Sequence, residues 1–429
     1  MKVFLDSIGC RLNQSEIEAM AAQFRAAGHV VVDSPQGADL VVVNTCAVTS
    51  EAASDSRQKI RQAARAGAGE IVATGCWTTL EPQAALRLPG VARAVSNMNK
   101  DELVSQVLGL PQADFDLEPM AREPLPWLRQ RTRAFIKVQD GCDNHCTFCI
   151  TRVARGAGRS RTLAEVLGDV ERAVQGGALE VVLTGVHLGS WGQDFQPRQH
   201  LADLVRGLLT HSSAARLRLS SLEPWDLDES FFQLWQDARL CRHLHLPLQA
   251  GSAAVLRRMA RKTTPDQFRA LVAQARAAIP EVAVTTDLLV GFPGEGEAEF
   301  AEGLAFVREM GFAGGHVFAF SPRPGTPAAS YADPVPSPVK KQRSALMRAA
   351  VAESAAAYAQ SFVGRTVEVL WEVCSALGPE GWRMQGWTDQ YVRVSAAAPQ
   401  PLWNQISSVR LLRAQGETLE GEILAARQG

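Results

Sequence analysis

No apolar run in this sequence approaches the roughly 18 residues of a membrane-spanning helix, so no such helix is expected. It has no Walker-type phosphate loop and no His-Glu-x-x-His zinc helix, which removes the usual sequence signs of an NTPase and of a metalloprotease. Neither sign of charge is in excess. The 44 lysines and arginines stand against 45 aspartates and glutamates, so any nucleic-acid binding has to come from local patches. The opening stretch "MKVFLDSIGC" lacks the charged-then-apolar layout of a signal peptide and reads as a first strand. A soluble, cytoplasmic protein is expected. In that setting eight cysteines suggest ligands or redox groups, not a disulfide scaffold.

What is present is a chain of 429 residues, 46% apolar, long enough for two or three domains with sizeable cores. Residues 1–110 alternate short apolar strands with amphipathic helices. The proline-rich, acidic stretch "PQADFDLEPMAREPLPW" marks a linker at 111–130. Across 131–345 the strands "AFIKVQ", "EVVLTGV", "RLRLSSL", "HLHLPLQ", "VAVTTDLLVGF" and "GGHVFAF" are separated by helical stretches. Repeated strand–helix units predict an α/β fold with parallel sheets, here an N-terminal α/β domain and a central open or partial (β/α)6 barrel. A connecting helix is expected at 346–360. From 361 to 427 short strands with Gly and Trp replace helical periodicity.

The densest chemistry is in "GCDNHCTFCI", where Cys142, Cys146 and Cys149 follow the strand "AFIKVQ" directly. In strand–helix folds the loops at the C-terminal ends of strands carry the active site. Three thiolates on one loop can hold three corners of a cubane iron–sulfur cluster and leave one iron open. Zinc is the rival, although structural zinc usually takes four protein ligands, and no second pair follows at finger-like spacing. A second trio, Cys10, Cys46 and Cys76, stands at the ends of three separate apolar strands, each followed by a helix. In a parallel sheet such strand ends share one edge, so a second three-thiolate cluster is expected there. Cys241 and Cys374 fit neither set and read as structural.

The Cys-x3-Cys-x2-Cys loop resembles that of the radical S-adenosylmethionine (SAM) enzymes, and the two trios in this order resemble the methylthiotransferase family. "GCRLNQSE", "VVNTCAV" and "ATGC" are similar to its N-terminal domain; "QDGCDNHCTFCI", "LTGVHLGSWGQD", "SSLEP", "HLPLQAGS", "TTDLLVGFPGE" and "SPRPGTPA" are similar to its radical SAM domain. The tail resembles the small β-barrel called TRAM. One departure is Thr151, where the family commonly has proline. The resemblance implies two [4Fe-4S] clusters and two SAM molecules. One SAM would methylate a sulfur carried at the N-terminal cluster; the other would be cleaved to a 5′-deoxyadenosyl radical at the Cys142, Cys146, Cys149 cluster. It also implies an external electron donor, flavodoxin- or ferredoxin-like, and a sulfur source.

The substrate implied is the anticodon loop of tRNA. "GCRLNQSE" and "LTGVHLGSWGQD" look most like the type acting on C2 of N6-threonylcarbamoyladenosine at position 37. Other branches take N6-isopentenyladenosine or a ribosomal-protein aspartate. A non-catalytic zinc protein that binds RNA through the tail is the alternative of a different class, and it leaves the second trio unexplained. Candidate SAM contacts at or near later strand ends are Gly185, Glu223, Gln249 and Asp287. Arg57, Arg61 and Arg65 share one helix face, and Arg152, Arg155, Arg159 and Arg161 flank the cysteine loop; both runs would suit phosphate contacts. In the tail Trp371, Trp382, Trp387 and Tyr391 are candidates for base stacking. The tail itself is not basic, with five arginines against seven acids from Phe362 to Leu424.

Overall fold

A computed structural model describes residues 1–110, 132–378 and 381–426. The stretch read as a linker at 111–130 lies outside the described residues. The first domain is a parallel sheet in the order β2-β1-β3-β4-β5, with β1 Lys2–Ser7, β2 Val30–Val31, β3 Leu40–Thr45, β4 Glu70–Gly75 and β5 Val91–Val95. The near-continuous apolar run of β3 is buried throughout, as befits a central strand covered on both faces. Alternate residues feed two cores. Val41 and Val43 join Ile60 and Trp77, while Leu40 and Val42 join Ile17 and Phe24. Register pairs Ser7 with Asn44 and Thr45 with Gly75, so β1, β3 and β4 end at one edge.

All six strands expected in the central segment form. They begin with β6 Arg133–Lys137, after which β7 Gln139–Asp140 and β8 Arg159–Ser160 pair antiparallel across the base of the cysteine loop. Next come β9 Glu180–Thr184, β10 Arg216–Leu219, β11 His243–His245, β12 Ala283–Val290 and β13 Gly314–Ala319. They pair in parallel as β10-β9-β6 and β11-β12-β13. Bridges between Leu217 and Leu240 and between Ser221 and His245 join the two sets into a partial barrel. No helix of the described residues is long and apolar enough to cross a membrane.

The helix that follows begins at Ser337, not at 346, and runs to Gln360. Pro338 in its first turn suits a helix start, since the missing N–H has no intrahelical partner there. The tail closes into a barrel in the order β14-β15-β16-β18-β17, with β14 Thr366–Gly378, β15 Gly381–Trp387, β16 Arg393–Ala398, β17 Ile406–Gln415 and β18 Thr418–Ala426. All four aromatics expected to stack on bases make contacts within the protein. Trp371 is fully buried in the barrel core with its Nε1 donating to Ser407 Oγ at 3.1 Å. Tyr391 is stacked between Trp387 (centroids 4.5 Å) and His243 (4.6 Å). Trp382 is partly buried against the barrel core.

Tyr391 also receives Arg11 from the first domain, Nη2 to the phenol oxygen at 2.9 Å. The barrel is docked around it by charge. Arg133 pairs with Glu372 at 2.6 Å and Arg242 with Asp389 at 2.7 Å. Arg218 holds Glu180 at 2.6 Å and donates to the carbonyls of Thr388 and Asp389. Burial alone would raise the Glu180 carboxyl, but the Arg218 charge and hydrogen bond bring it down to about 2 from an ordinary 4.5. A depressed carboxyl stabilises the fold above its unfolded pKa, and that contribution is lost as pH falls through the folded value. Acid titration by near-ultraviolet circular dichroism should therefore show a loss of about 3 kcal/mol as the pH falls from 4.5 to 2. Glu180→Gln should lack that component, and an identical acid profile for the two proteins would refute it.

Candidate active site

The strand ends bring Cys10, Cys46 and Cys76 to one edge of the first sheet, as expected. Cys10 precedes the helix Arg11–Ala26, Cys46 follows β3, and Cys76 opens the helix Cys76–Leu80 directly after β4. Cys46 is influenced by both Cys10 and Cys76, and Cys10 by Cys76. Gly9 makes this approach possible, because a Cβ there would stand 2.7 Å from Cys46 Sγ, and its φ of +110° favours glycine. Asn97 Nδ2 donates to Cys76 Sγ at 3.5 Å.

The second loop is pinned by the β7–β8 pair and by Cys142 N–H donating to Gly156 O at 3.1 Å. Gly141, at φ +72°, is again required, since a Cβ would lie 1.9 Å from Ala157 O. Each of the three sulfurs receives a donor. Asn144 N–H reaches Cys142 at 3.4 Å, Arg261 Nη1 reaches Cys146 at 3.8 Å, and Thr151 N–H reaches Cys149 at 3.4 Å. The last is a bond that the proline common at this position has no N–H to make. Such donors stabilise thiolate ligands and tune an iron–sulfur centre.

Burial pushes both Cys46 and Cys146 up to about 11, so each is a thiol at neutral pH until a metal displaces its proton. Among the described residues no three His, Cys, Asp or Glu side chains form a ready-made site for a single metal ion. A cubane asks for something different: each cysteine meets its own iron at a separate corner. Three thiols at the sheet edge, with Gly9 beside them and Asn97 donating to Cys76, and three on the loop, with Gly141 beside them and a donor to each sulfur, fit that group.

Arg155 joins the two sites. Its Nη1 is 2.9 Å from both Glu16 and Asp140, and its Nη2 is 2.7 Å from Asn13 Oδ1. Glu16 in turn accepts from Lys100 Nζ at 2.7 Å and from Asn44 Nδ2 at 2.9 Å. The Glu16, Lys100 and Arg155 side chains are each only 2% exposed. This corrects the phosphate reading of Arg155, which is an internal tie between the cysteine loop and the first domain. Arg161 is half-buried and paired with Asp169 at 2.5 Å. Arg61, Arg65, Arg152 and Arg159 are exposed, and Arg57 lies over the Trp77 ring at 5.7 Å. Arg152 contacts His145 within the loop.

The candidate SAM contacts lie along β9 to β12. Gly185 is bare because Gln139 packs against it; a Cβ would meet Gln139 Oε1 at 3.0 Å. Glu223 is held by Arg261 at 2.6 and 3.1 Å, and that guanidinium also covers the Trp225 ring at 4.5 Å. Gln249 takes a φ of +71° and bridges to Leu288. Asp287 sits within β12, where burial would raise its carboxyl but the His245 hydrogen bond and nearby positive charges pull it below the ordinary range.

Sequence reasoning missed one further pair. His187, in "LTGVHLGSWGQD", lies 2.5 Å from Asp226 and beside Asn144 of the cysteine loop. Burial opposes its charge, yet Asp226 and the adjoining Cys142 raise it to about 10, so the imidazole is a cation at neutral pH. Its place in a quoted motif was the available signal.

Known proteins agree with this architecture. Residues 2–96 match the family described as uncharacterized protein family UPF0004, and residues 136–307 match the radical SAM superfamily. A Bacillus subtilis protein, threonylcarbamoyladenosine tRNA methylthiotransferase MtaB, is 35% identical over 98% of this chain and 96% of its own length. The Thermotoga maritima protein of the same name is 33% identical over the same shares. A tRNA-2-methylthio-N(6)-dimethylallyladenosine synthase of Geobacillus thermodenitrificans is 33% identical over 98% of this chain and 83% of its own. Among solved structures, the radical SAM methyltransferase TsrM of Kitasatospora setae shares the fold, with a TM-score of 0.58 over 76% of this chain and 75% of that one at 16% identity. The chain belongs to the radical SAM methylthiotransferases, and within them to the MtaB type.

Proposed function

We propose that this enzyme methylthiolates C2 of N6-threonylcarbamoyladenosine at position 37 in the tRNA anticodon loop. The observation that carries the reading is the buried Arg155 junction, which ties the loop of Cys142, Cys146 and Cys149 to the domain of Cys10, Cys46 and Cys76. The substrate is the one for which the Bacillus subtilis and Thermotoga maritima relatives are named. The dimethylallyladenosine branch, to which a 33% identical relative belongs by name, is the competing reading.

In this reading each trio holds one [4Fe-4S] cluster. A cluster held by Cys142, Cys146 and Cys149 would supply the electron for SAM cleavage, and one held by Cys10, Cys46 and Cys76 would supply the sulfur or its platform. The chain's own work is placement. Asn144, Arg261 and Thr151 hold the loop sulfurs, Arg261 keeps Glu223 in place, and His187 with Asp226 braces the loop from β9. Gly185, Glu223, Gln249 and Asp287 line the path for SAM. The exposed Arg61, Arg65, Arg152 and Arg159, with Arg57, are suited to phosphates of an unpaired loop. A cytoplasmic setting, an external flavodoxin- or ferredoxin-like donor and a sulfur source complete the scheme.

The test is direct. Reconstituted enzyme, SAM and a reductant are incubated without oxygen with tRNAs carrying threonylcarbamoyladenosine, isopentenyladenosine or unmodified adenosine at position 37. Digested nucleosides are then weighed by mass spectrometry. A methylthio group is expected on the threonylcarbamoyl nucleoside alone; preference for the isopentenyl nucleoside would transfer the protein to the competing branch.

A further inference from the structure

The stretch "SPRPGTPA", Ser321 to Ala328, forms the loop after β13, and it touches both cysteine sites. Ser321 Oγ lies 2.8 Å from Ser50 Oγ, at the start of the helix that follows Cys46. Ala328 N–H donates at 2.9 Å to the carbonyl of Thr147, which stands between Cys146 and Cys149. Gly325 packs beside Ile150, one residue past Cys149. Within the loop Thr326 closes a turn on Arg323, its N–H and Oγ1 donating to the Arg323 carbonyl at 3.1 and 2.8 Å.

The Arg323 side chain is unlike the buried Arg155, Arg218 and Arg261, each of which holds a carboxylate. Arg323 Nε and Nη2 are shielded from solvent and have no hydrogen-bond acceptor among the described residues. Its charge lies close enough to Cys46 to interact with it. A shielded donor without an acceptor is costly, and guanidinium is the side chain best shaped to take an oxyanion in two parallel bonds.

We propose that Arg323 grips an oxyanion of the substrate nucleotide, either a backbone phosphate or the carboxylate carried by the modified base, and so sets the target adenine between the two cysteine sites. The inference rests on the tRNA reading above. Phosphate and carboxylate present the same chemistry to the fork, and the experiment separates them.

Binding is measured anaerobically, without SAM, on the full chain. The probes are anticodon hairpins with threonylcarbamoyladenosine or plain adenosine at position 37. Arg323→Gln should bind about tenfold more weakly, the loss expected for one charge-assisted contact. Arg323→Lys, which keeps the charge but not the fork, should recover part of it. If the carboxylate is the ligand, the loss is confined to the modified hairpin. If a phosphate is, both hairpins weaken alike, and the slope of log affinity against log salt falls by about 0.7.

Equal binding of wild type and Arg323→Gln to both hairpins would overturn the proposal. Should the glutamine variant lose its circular dichroism, wild-type protein serves instead, with hairpins whose carboxylate is an amide or whose phosphates beside position 37 are methylphosphonates. At least one should bind about tenfold more weakly, and undiminished binding of all would again overturn it. Wild type binding neither hairpin better than an unrelated one is a different result: it removes the tRNA reading, and the role of Arg323 with it.

Discussion

Protein purified without oxygen and reconstituted with iron and sulfide should carry about eight irons, and its Cys142→Ala/Cys146→Ala/Cys149→Ala variant about four. The two trios are built from different elements. One is a single loop whose sulfurs are bonded by Asn144, Arg261 and Thr151; the other is three strand ends brought into line by the register of β1, β3 and β4. Loss of one trio therefore leaves the other's ligands in place. The Cys10→Ala/Cys46→Ala/Cys76→Ala variant should also keep about four irons and should still cleave SAM, while methylthio product vanishes. Either triple variant should abolish product formation by more than about a hundredfold, since removing ligands typically costs at least as much as removing their outer hydrogen-bond partners. Zinc in place of iron, or about four irons in the wild type, would remove the support for a sulfur-carrying role of Cys10, Cys46 and Cys76.

The second large effect is expected at Arg155. Arg155→Met removes a buried cation but leaves Glu16 and Asp140 in place, with Lys100 as the remaining ion-pair partner of Glu16. Breaking one side of a buried ion pair typically costs about 3–5 kcal/mol because the remaining charge is left uncompensated. Burial would raise the Glu16 carboxyl, but Lys100 and Arg155 together hold it well below the carboxylate range, so the charge persists at neutral pH. The cost should fall on the junction. Amide hydrogens of the helix Arg11–Ala26 and of the loop after β7 should exchange more than about a hundredfold faster, the factor that corresponds to about 3 kcal/mol. Arg155→Lys should fall between the two, keeping charge but not the fork. Exchange within threefold of wild type would show that the network does not hold the domains together.

Much of the site was legible in the sequence because it depends on order along the chain. Cysteines at strand ends need only a parallel sheet to meet, and six apolar strands separated by helices dictate one. The arginines were harder, since a charge run says nothing about what comes to it from afar. Arg155 looked like Arg152 and Arg159, yet Glu16, its partner, lies 139 residues away. Trp371 and Tyr391 looked free to stack on bases for the same reason; Ser407 and His243 are set opposite them only by barrel closure and docking. Thr151 was noted only as a departure, and its backbone bond to Cys149 became visible with the loop's conformation.

The contact between Arg11 and Tyr391 joins residues 380 positions apart. At ribosomal speeds of about 5–20 residues per second, the first helix emerges on the order of twenty to eighty seconds before its last partner exists. During that interval the N-terminal sheet can form, since its strands are complete by Val95, but the tail that packs on Arg11 has not yet been made. Cys10, exposed in the finished fold, directly precedes Arg11 and stands in the chain throughout that interval. Translation thus provides a window in which the first sheet and its trio of thiols can assemble before the tail docks on Arg11.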